Sequence, residues 1–261
     1  MSTMTYVARD SATMLRRNLV HIRRYPSLTI MLVAQPILLL LLFTFVFGGT
    51  MGDGLTSGGG REAYLVYITP AILVMAVASV ASGTSISVAM DMTEGIVARF
   101  KTMAIARGSL LTGHVLGAMI QTLFVVVVTG VVAVLLGYRV DGGPAGLLAA
   151  FGVLAMLAFA TTWLAVMFGV TSKSVETASN WPILLVLLPF LGSGFVPTES
   201  MPTAIRWFAE YQPFTPVIET LRAFLDGTPL DATDGLLAVA WCAGLALVGY
   251  LVSRKSFAPV G

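Results

Sequence analysis

Six stretches of this chain are apolar for long enough to cross a bilayer, and that limits what its backbone can do. A helix needs about 20 mostly apolar residues to traverse a hydrocarbon core of about 30 Å. Residues 28–47, 63–90, 109–137, 145–170, 177–196 and 235–253 meet that requirement. Lipid offers no partner to a free N–H or C=O, so each run is expected as a helix. The fifth is interrupted by Asn180, Pro182, Pro189, Gly192 and Gly194, which a span tolerates only where neighbours satisfy the freed backbone groups. Composition agrees: 57% of the 261 residues are hydrophobic and 11% are charged. A soluble domain carries about 25% charged residues. The fold class is therefore all-α integral membrane.

Charge gives the orientation. With both termini cytoplasmic, the inner segments hold Arg9, Arg16, Arg17, Arg23, Arg24, Arg99, Lys101, Arg107, Lys173, Arg254 and Lys255. Arg61, Arg139, Arg206 and Arg222 fall outside. That asymmetry is what the positive-inside rule expects, and an odd number of spans would spoil it. The acids lie the other way, with only Asp10, Asp91, Glu94 and Glu176 inside. Six transmembrane helices with N and C termini in the cytoplasm follow, in a multi-pass protein of the cell membrane. The basic N-terminus precedes an apolar run longer than a signal core, and Gly48-Gly49-Thr50-Met51 is a poor cleavage site. Wound as a helix, residues 4–24 put Met4, Val7, Ala8, Met14, Leu15, Leu19 and Ile22 on one face and all five arginines opposite. Such a segment fits an interfacial helix in the headgroup plane, with a frayed basic tail as its alternative.

The chain lacks the motifs of a catalyst. It contains no Gly-Lys pair, hence no phosphate-cradling G-x-x-x-x-G-K-[ST] loop. H-E-x-x-H and G-x-S-x-G are also absent, so no catalytic residue, metal ligand set or bound cofactor is expected. Cys242 stands alone in an apolar run and reads as packing. No Asp, Glu, Lys or Arg falls in the middle of a span, where an ion-coupled carrier keeps one. His114 lies within the third span near its cytoplasmic end, and reads as bonded to backbone or water.

Three other features ask for a use. Between the second and third spans, residues 91–108 (DMTEGIVARFKTMAIARG) repeat Ile96, Phe100 and Met103 at i, i+4, i+7. An amphipathic helix with that ridge fits a groove on a soluble partner, or else the membrane surface. Residues 197–234 contain several prolines, with Trp207, Phe208, Tyr211 and Phe214 between them. They read as half-inserted hairpin helices lidding a pathway, or as a folded surface loop; Glu219 and Arg222 form an exposed pair worth about 0–1 kcal/mol. Ser79, Gly83 and Ser87, and Gly113 with Gly117, mark close helix approach, within one subunit or between two.

The residues also resemble a known family. Gln35-Pro36 with the ending Phe45-Val46-Phe47-Gly48-Gly49 forms one block. Gly95-Ile96-Val97-Ala98-Arg99-Phe100-Lys101 with Ala106-Arg107 forms a second. The third runs from Phe195-Val196-Pro197 through Met201-Pro202, Phe208-Ala209-Glu210 and Pro213 to Arg222-Ala223. The whole chain resembles the permease of type 2 ABC exporters, in particular the daunorubicin-resistance branch. It departs from that branch at Met103-Ala104-Ile105, where many relatives carry a proline.

The resemblance implies a half-transporter: two permease copies with two copies of a separately encoded ABC ATPase, which would hold the ATP and magnesium. Residues 91–108 would include the coupling helix, with Glu94, Gly95, Ile96, Arg99, Phe100 and Met103 toward the ATPase. Re-entrant outer helices would occupy about 197–226. A drug, antibiotic or lipid would leave by alternating access through a cleft between permeases. Gln35, Thr44, Thr69, Asn180 and Phe190 are candidate lining residues, each also able to bond within its own bundle. Partners are membrane lipid and protein, with no nucleic acid. Two competing readings are a membrane scaffold that anchors an ATPase and a secondary carrier.

Overall fold

The structure, a computed structural model, describes residues 26–55, 59–93 and 107–257, together with Thr13 and Arg16. Apart from Thr13 and Arg16, the expected interfacial helix at 4–24 lies outside the described residues. So do Glu94, Gly95, Ile96, Arg99, Phe100 and Met103. Helix α1 (Pro26–Leu42) runs through a π-helical turn (Phe43–Phe47) into the short α2 (Gly48–Asp53). The chain continues as α3 (Gly60–Thr93), α4 (Arg107–Leu135), α5 (Gly143–Thr171) and α6 (Val175–Leu187). After α6 come the amphipathic α7 (Thr203–Tyr211), α8 (Phe214–Asp226) and the last long helix, α9 (Ala232–Phe257). Among the described residues there is no strand.

Among the described residues, five helical stretches are long and apolar enough to cross a membrane: Thr29–Asp53, Gly60–Thr93, Leu111–Leu135, Gly143–Thr171 and Ala232–Ser256. α3 is the axis. Of its most apolar 18 residues 83% are buried, against 17% for the first stretch and 22% for the last, so α1 and α9 present their side chains outward. The core gathers Tyr64, Ile68, Ile72 and Met75 of α3 with Leu157 of α5 and Phe214, Ile218 and Leu221 of α8. Hydroxyls in these apolar helices bond back one turn: Thr69 to Leu65 O at 2.6 Å, Ser79 to Met75 O at 2.9 Å and Thr129 to Val125 O at 2.8 Å. That local bond makes a threonine acceptable in lipid.

The fifth apolar stretch departs from the expected full-length span over 177–196. It starts at Val175, capped by Ser174 Oγ accepting from Thr177 N, and is α-helical only to Leu187. One 3-10 turn, Leu188–Leu191, follows before the chain turns at 192–195. The run Val175–Leu191 rises only about 25 Å, short of a hydrocarbon core. Pro189 withholds a backbone donor, and Gly192 and Gly194 let other chains approach. A Cβ on Gly192 would strike the side chains of Gln212 and Thr215. Freed carbonyls find donors on α3, as lipid requires: Tyr67 donates to Ser193 O at 2.7 Å and Tyr64 to Phe195 O at 3.4 Å.

Neighbouring long helices run in alternating directions, so α3 and α6 meet at both ends. Tyr67 reaches Ser193 at one end and Ser85 donates to Ala178 O at 2.9 Å toward the other. The first is called the Gly60 end here and the second the Thr93 end. α7 and α8 cap the Gly60 end. Buried Gln212 forms their corner, donating to Leu188 O at 3.3 Å and to Thr215 Oγ1 at 3.0 Å while accepting from Phe214 N. α8 stops at Gly227, whose φ of +67° is left-handed and whose N–H bonds Ala223 O.

Candidate transport pathway and its two ends

At the Gly60 end, Arg222 is the hub. Its guanidinium donates to both Glu219 carboxylate oxygens, and to Tyr67 O at 3.2 Å and Ser193 O at 3.3 Å. It also lies 4.2 Å over the Tyr67 ring. One planar fork thus ties α8 to α3 and to the turn after α6, a task suited to arginine's fixed geometry. The Glu219–Arg222 pair, expected to be exposed, is corrected to half-buried, with side chains 30% and 16% exposed. The reason is tertiary: the helix carrying both residues is covered by α3 and the 192–195 turn.

Beside this hub the π turn of the first span meets the end of α6. Phe190 and Phe195 stack with centroids 4.5 Å apart, and Phe43 lies 4.6 Å from Phe195 and 6.3 Å from Phe190. Phe47 extends the group, 5.5 Å from Phe43, and Arg61 sits 4.6 Å over Phe45. A π turn inserts one residue into the helical ladder and recurs at functional sites. Thr44, within it, is buried, and its hydroxyl has no partner among the described residues. Ser193 Oγ is likewise buried and unpartnered. Phe190 is the exposed member of the stack and can offer an edge of this group to a flat amphiphile, whereas the hydroxyls of Thr44 and Ser193 are closed off inside.

The five expected lining residues are divided by the structure. Phe190 joins the aromatic group, and Thr44 follows its member Phe43 in the chain. Thr69 is fully enclosed in α3 and satisfied by its own helix. Gln35 and Asn180 are exposed on α1 and α6, and neither amide hydrogen-bonds to another described residue. An exposed amide on an apolar face calls for something other than lipid to cover it. Phe43, Phe195 and Arg222 belong to the same region and were not among the expected lining residues. The aromatic spacing of Phe43, Phe45 and Phe47 was the visible signal; Arg222 offered none beyond its pairing with Glu219.

At the Thr93 end, His114 has a side-chain partner that the expected bond to backbone or water did not include. Its Nε2 lies 2.9 Å from Asp91 Oδ2. Asp91 belongs to the last turn of α3, where it is buried, not to an exposed connecting segment. In an antiparallel pair, the end of one helix and the second turn of the next come level, so the two meet. Outside the spans, Tyr138 donates to Asp226 Oδ1 at 3.1 Å, pinning the α4–α5 turn to α8. Burial pushes the Asp226 carboxyl above the usual carboxylate range, with the Tyr138 bond opposing. Burial also drives the Tyr138 hydroxyl far up, and the Asp226 charge adds to it.

Known proteins are similar to this chain in sequence. Residues 10–225 match the family described as ABC-2 type transporter. The chain is 29% identical over 236 residues to the daunorubicin resistance ABC transporter permease protein DrrB1 of Streptomyces coeruleorubidus, covering 87% of this chain and 81% of that one. It is 25% identical over 217 residues to the probable doxorubicin resistance ABC transporter permease protein DrrC of Mycobacterium tuberculosis, covering 83% and 76%. The matched range begins before α1 and ends in the last turn of α8. With span-length apolar helices beneath that match, the chain belongs to the ABC-2 type transporter family and is a multi-pass membrane subunit of an ABC transporter.

Proposed function

We propose that this subunit is the pathway half of a drug exporter: two copies assemble with two copies of a separate ATPase and expel an amphiphilic, ring-bearing compound. The family match across residues 10–225 carries the reading. It is supported by the resistance functions named for the daunorubicin and doxorubicin relatives. The chain has no phosphate-cradling loop, so ATP and magnesium belong on the partner. Both termini face the cytoplasm in a six-crossing topology, with the short Val175–Leu191 run completed by its turn and by α7 and α8, which fold back as re-entrant helices. The Thr93 end is then cytoplasmic. Within residues 91–108, the stretch 94–106 meets the ATPase there, with Glu94, Gly95, Ile96, Arg99, Phe100 and Met103 in the contact.

The Gly60 end is the exit. Phe190, backed by Phe43, Phe195 and buried Thr44, forms the stacking wall, while Gln35 and Asn180 face the cleft toward a second copy. Two copies are favoured because those exposed amides need cover that lipid does not provide. ATP binding closes the ATPase pair, the coupling segments move, and the cleft shifts from inward to outward access. That shift requires the ATPase to bind one permease state better than the other. Among the described residues, the buried Asp91–His114 pair is a feature that a proton-driven carrier would share. It lies at a bundle end rather than at mid-membrane, which favours the ATP-driven reading.

The test is co-purification. Ile96→Asp with Phe100→Asp is expected to release the ATPase from membranes while the permease stays inserted. ATPase recovery at the wild-type level would contradict the docking role.

A further inference from the structure

The Asp91–His114 contact is nearly closed to solvent, with side chains 11% and 6% exposed and Oδ2 2.9 Å from Nε2. Around it lies a small apolar cluster, separate from the main core: Val88 of α3, Leu111 and Val115 of α4, Val166 and Val170 of α5. The other two ion pairs between described residues, Arg206–Glu210 and Glu219–Arg222, each lie within one helix. This pair joins two.

A buried pair is a weak source of stability, because apolar residues of the same volume often serve as well. Register is what it supplies. A directed hydrogen bond between charged or polar groups permits one alignment of α3 on α4, whereas apolar contacts tolerate sliding. Its place in the chain gives that register a use. α3 ends at Thr93 and α4 begins at Arg107, so the pair straddles residues 94–106. The two helix ends that the pair joins are the ones that flank this segment in the chain. α5 is carried along, since Gly169 packs against Ser85 O and Val88 so closely that a Cβ would sit 2.7 Å from each.

We infer that Asp91 and His114 are positioning residues for energy coupling: they hold the facing ends of α3 and α4 as one body, so that motion of residues 94–106 displaces α3, α4 and α5 together instead of bending one helix. This rests on the reading of residues 94–106 as the ATPase-facing segment. The pair acts as a hydrogen-bonded tie between the two helices.

The experiment uses the permease co-expressed with its ATPase and reconstituted into phospholipid vesicles. Cys242→Ala removes the native thiol and Val196→Cys supplies a reporter at the Gly60 end. The readout is the change in maleimide labelling rate when vanadate traps the nucleotide-bound state, alongside ATP hydrolysis and co-purification. In His114→Ala and Asp91→Ala that change is expected to fall about tenfold, the scale of an allosteric coupling, with hydrolysis and assembly retained. His114→Gln, whose amide still donates, is expected to keep most of the response. Should the alanine variants insert poorly, Asp91→Leu with His114→Leu keeps the site filled and is expected to insert and assemble with a reduced response. A wild-type response in the alanine or double-leucine variants overturns the tie. Failure of His114→Gln as complete as that of His114→Ala overturns it in favour of a titrating role. A wild-type complex that shows no nucleotide response counts instead against the ATPase-facing reading, and the tie falls with it.

Discussion

Arg222 shows how one side chain decides the shape of a membrane lid. Its fork serves a carboxylate, two carbonyls and a ring face on three segments. Arg222→Gln strands a half-buried Glu219 and two carbonyls, so the thermal midpoint of the solubilised chain should drop by the equivalent of about 1.5–3 kcal/mol. Arg222→Lys keeps the charge but not the fork, and should recover only part of that loss. A midpoint unchanged in Arg222→Gln would contradict the hub. Asp226 gives a pH prediction. Burial raises its folded pKa, so the folded state binds the proton more tightly than the unfolded chain does. The stability this contributes is present below the ordinary carboxylate range and is lost as pH rises through the folded value. Asp226→Asn, which still accepts from Tyr138, should flatten the decline of the melting midpoint across mildly acidic pH. An undiminished slope would count against the buried carboxylate.

Helices in this bundle are set by how closely their backbones can meet. Cβ atoms added to Gly169 and Gly249 would lie 2.7 Å from Ser85 O and 2.6 Å from the Trp163 backbone, whereas one on Gly152 would meet nothing within 4 Å. Gly169→Ala and Gly249→Ala should therefore each cost about 1–3 kcal/mol by overpacking. Gly152→Ala should be neutral, or gain up to about 1 kcal/mol of helix propensity. Thermal unfolding followed by size-exclusion would show the opposite signs, and equal effects at all three positions would refute the packing account. At this scale much was legible from residues alone, because a run of 20 apolar side chains has few fates in lipid. The break after Leu187 was visible in Pro189, Gly192 and Gly194. What escaped the one-dimensional reading were contacts between segments far apart in the chain. His114 and Asp91 each had an ordinary explanation until α3 and α4 were laid side by side, and Arg222 looked exposed until α3 covered it. Gln35 and Asn180 were noticed as polar residues in apolar runs, but their outward position came only from the fold.

For the molecule as a whole, the number of crossings decides which surfaces meet the ATPase. Single cysteines at Lys173 and Glu199, with Cys242→Ala, flank the short Val175–Leu191 run. Six crossings place them on opposite sides, so an impermeant maleimide added to intact cells should label Glu199→Cys alone. Labelling of both from one side would mean that the run does not cross. The deepest commitment remains that this subunit provides a path and borrows its motor. It is tested most directly by ATP-dependent uptake of a fluorescent aromatic amphiphile into inside-out vesicles holding the permease, its ATPase, or both. The account predicts uptake only with both subunits and hydrolysable ATP. Uptake by the permease alone under a proton gradient would contradict it.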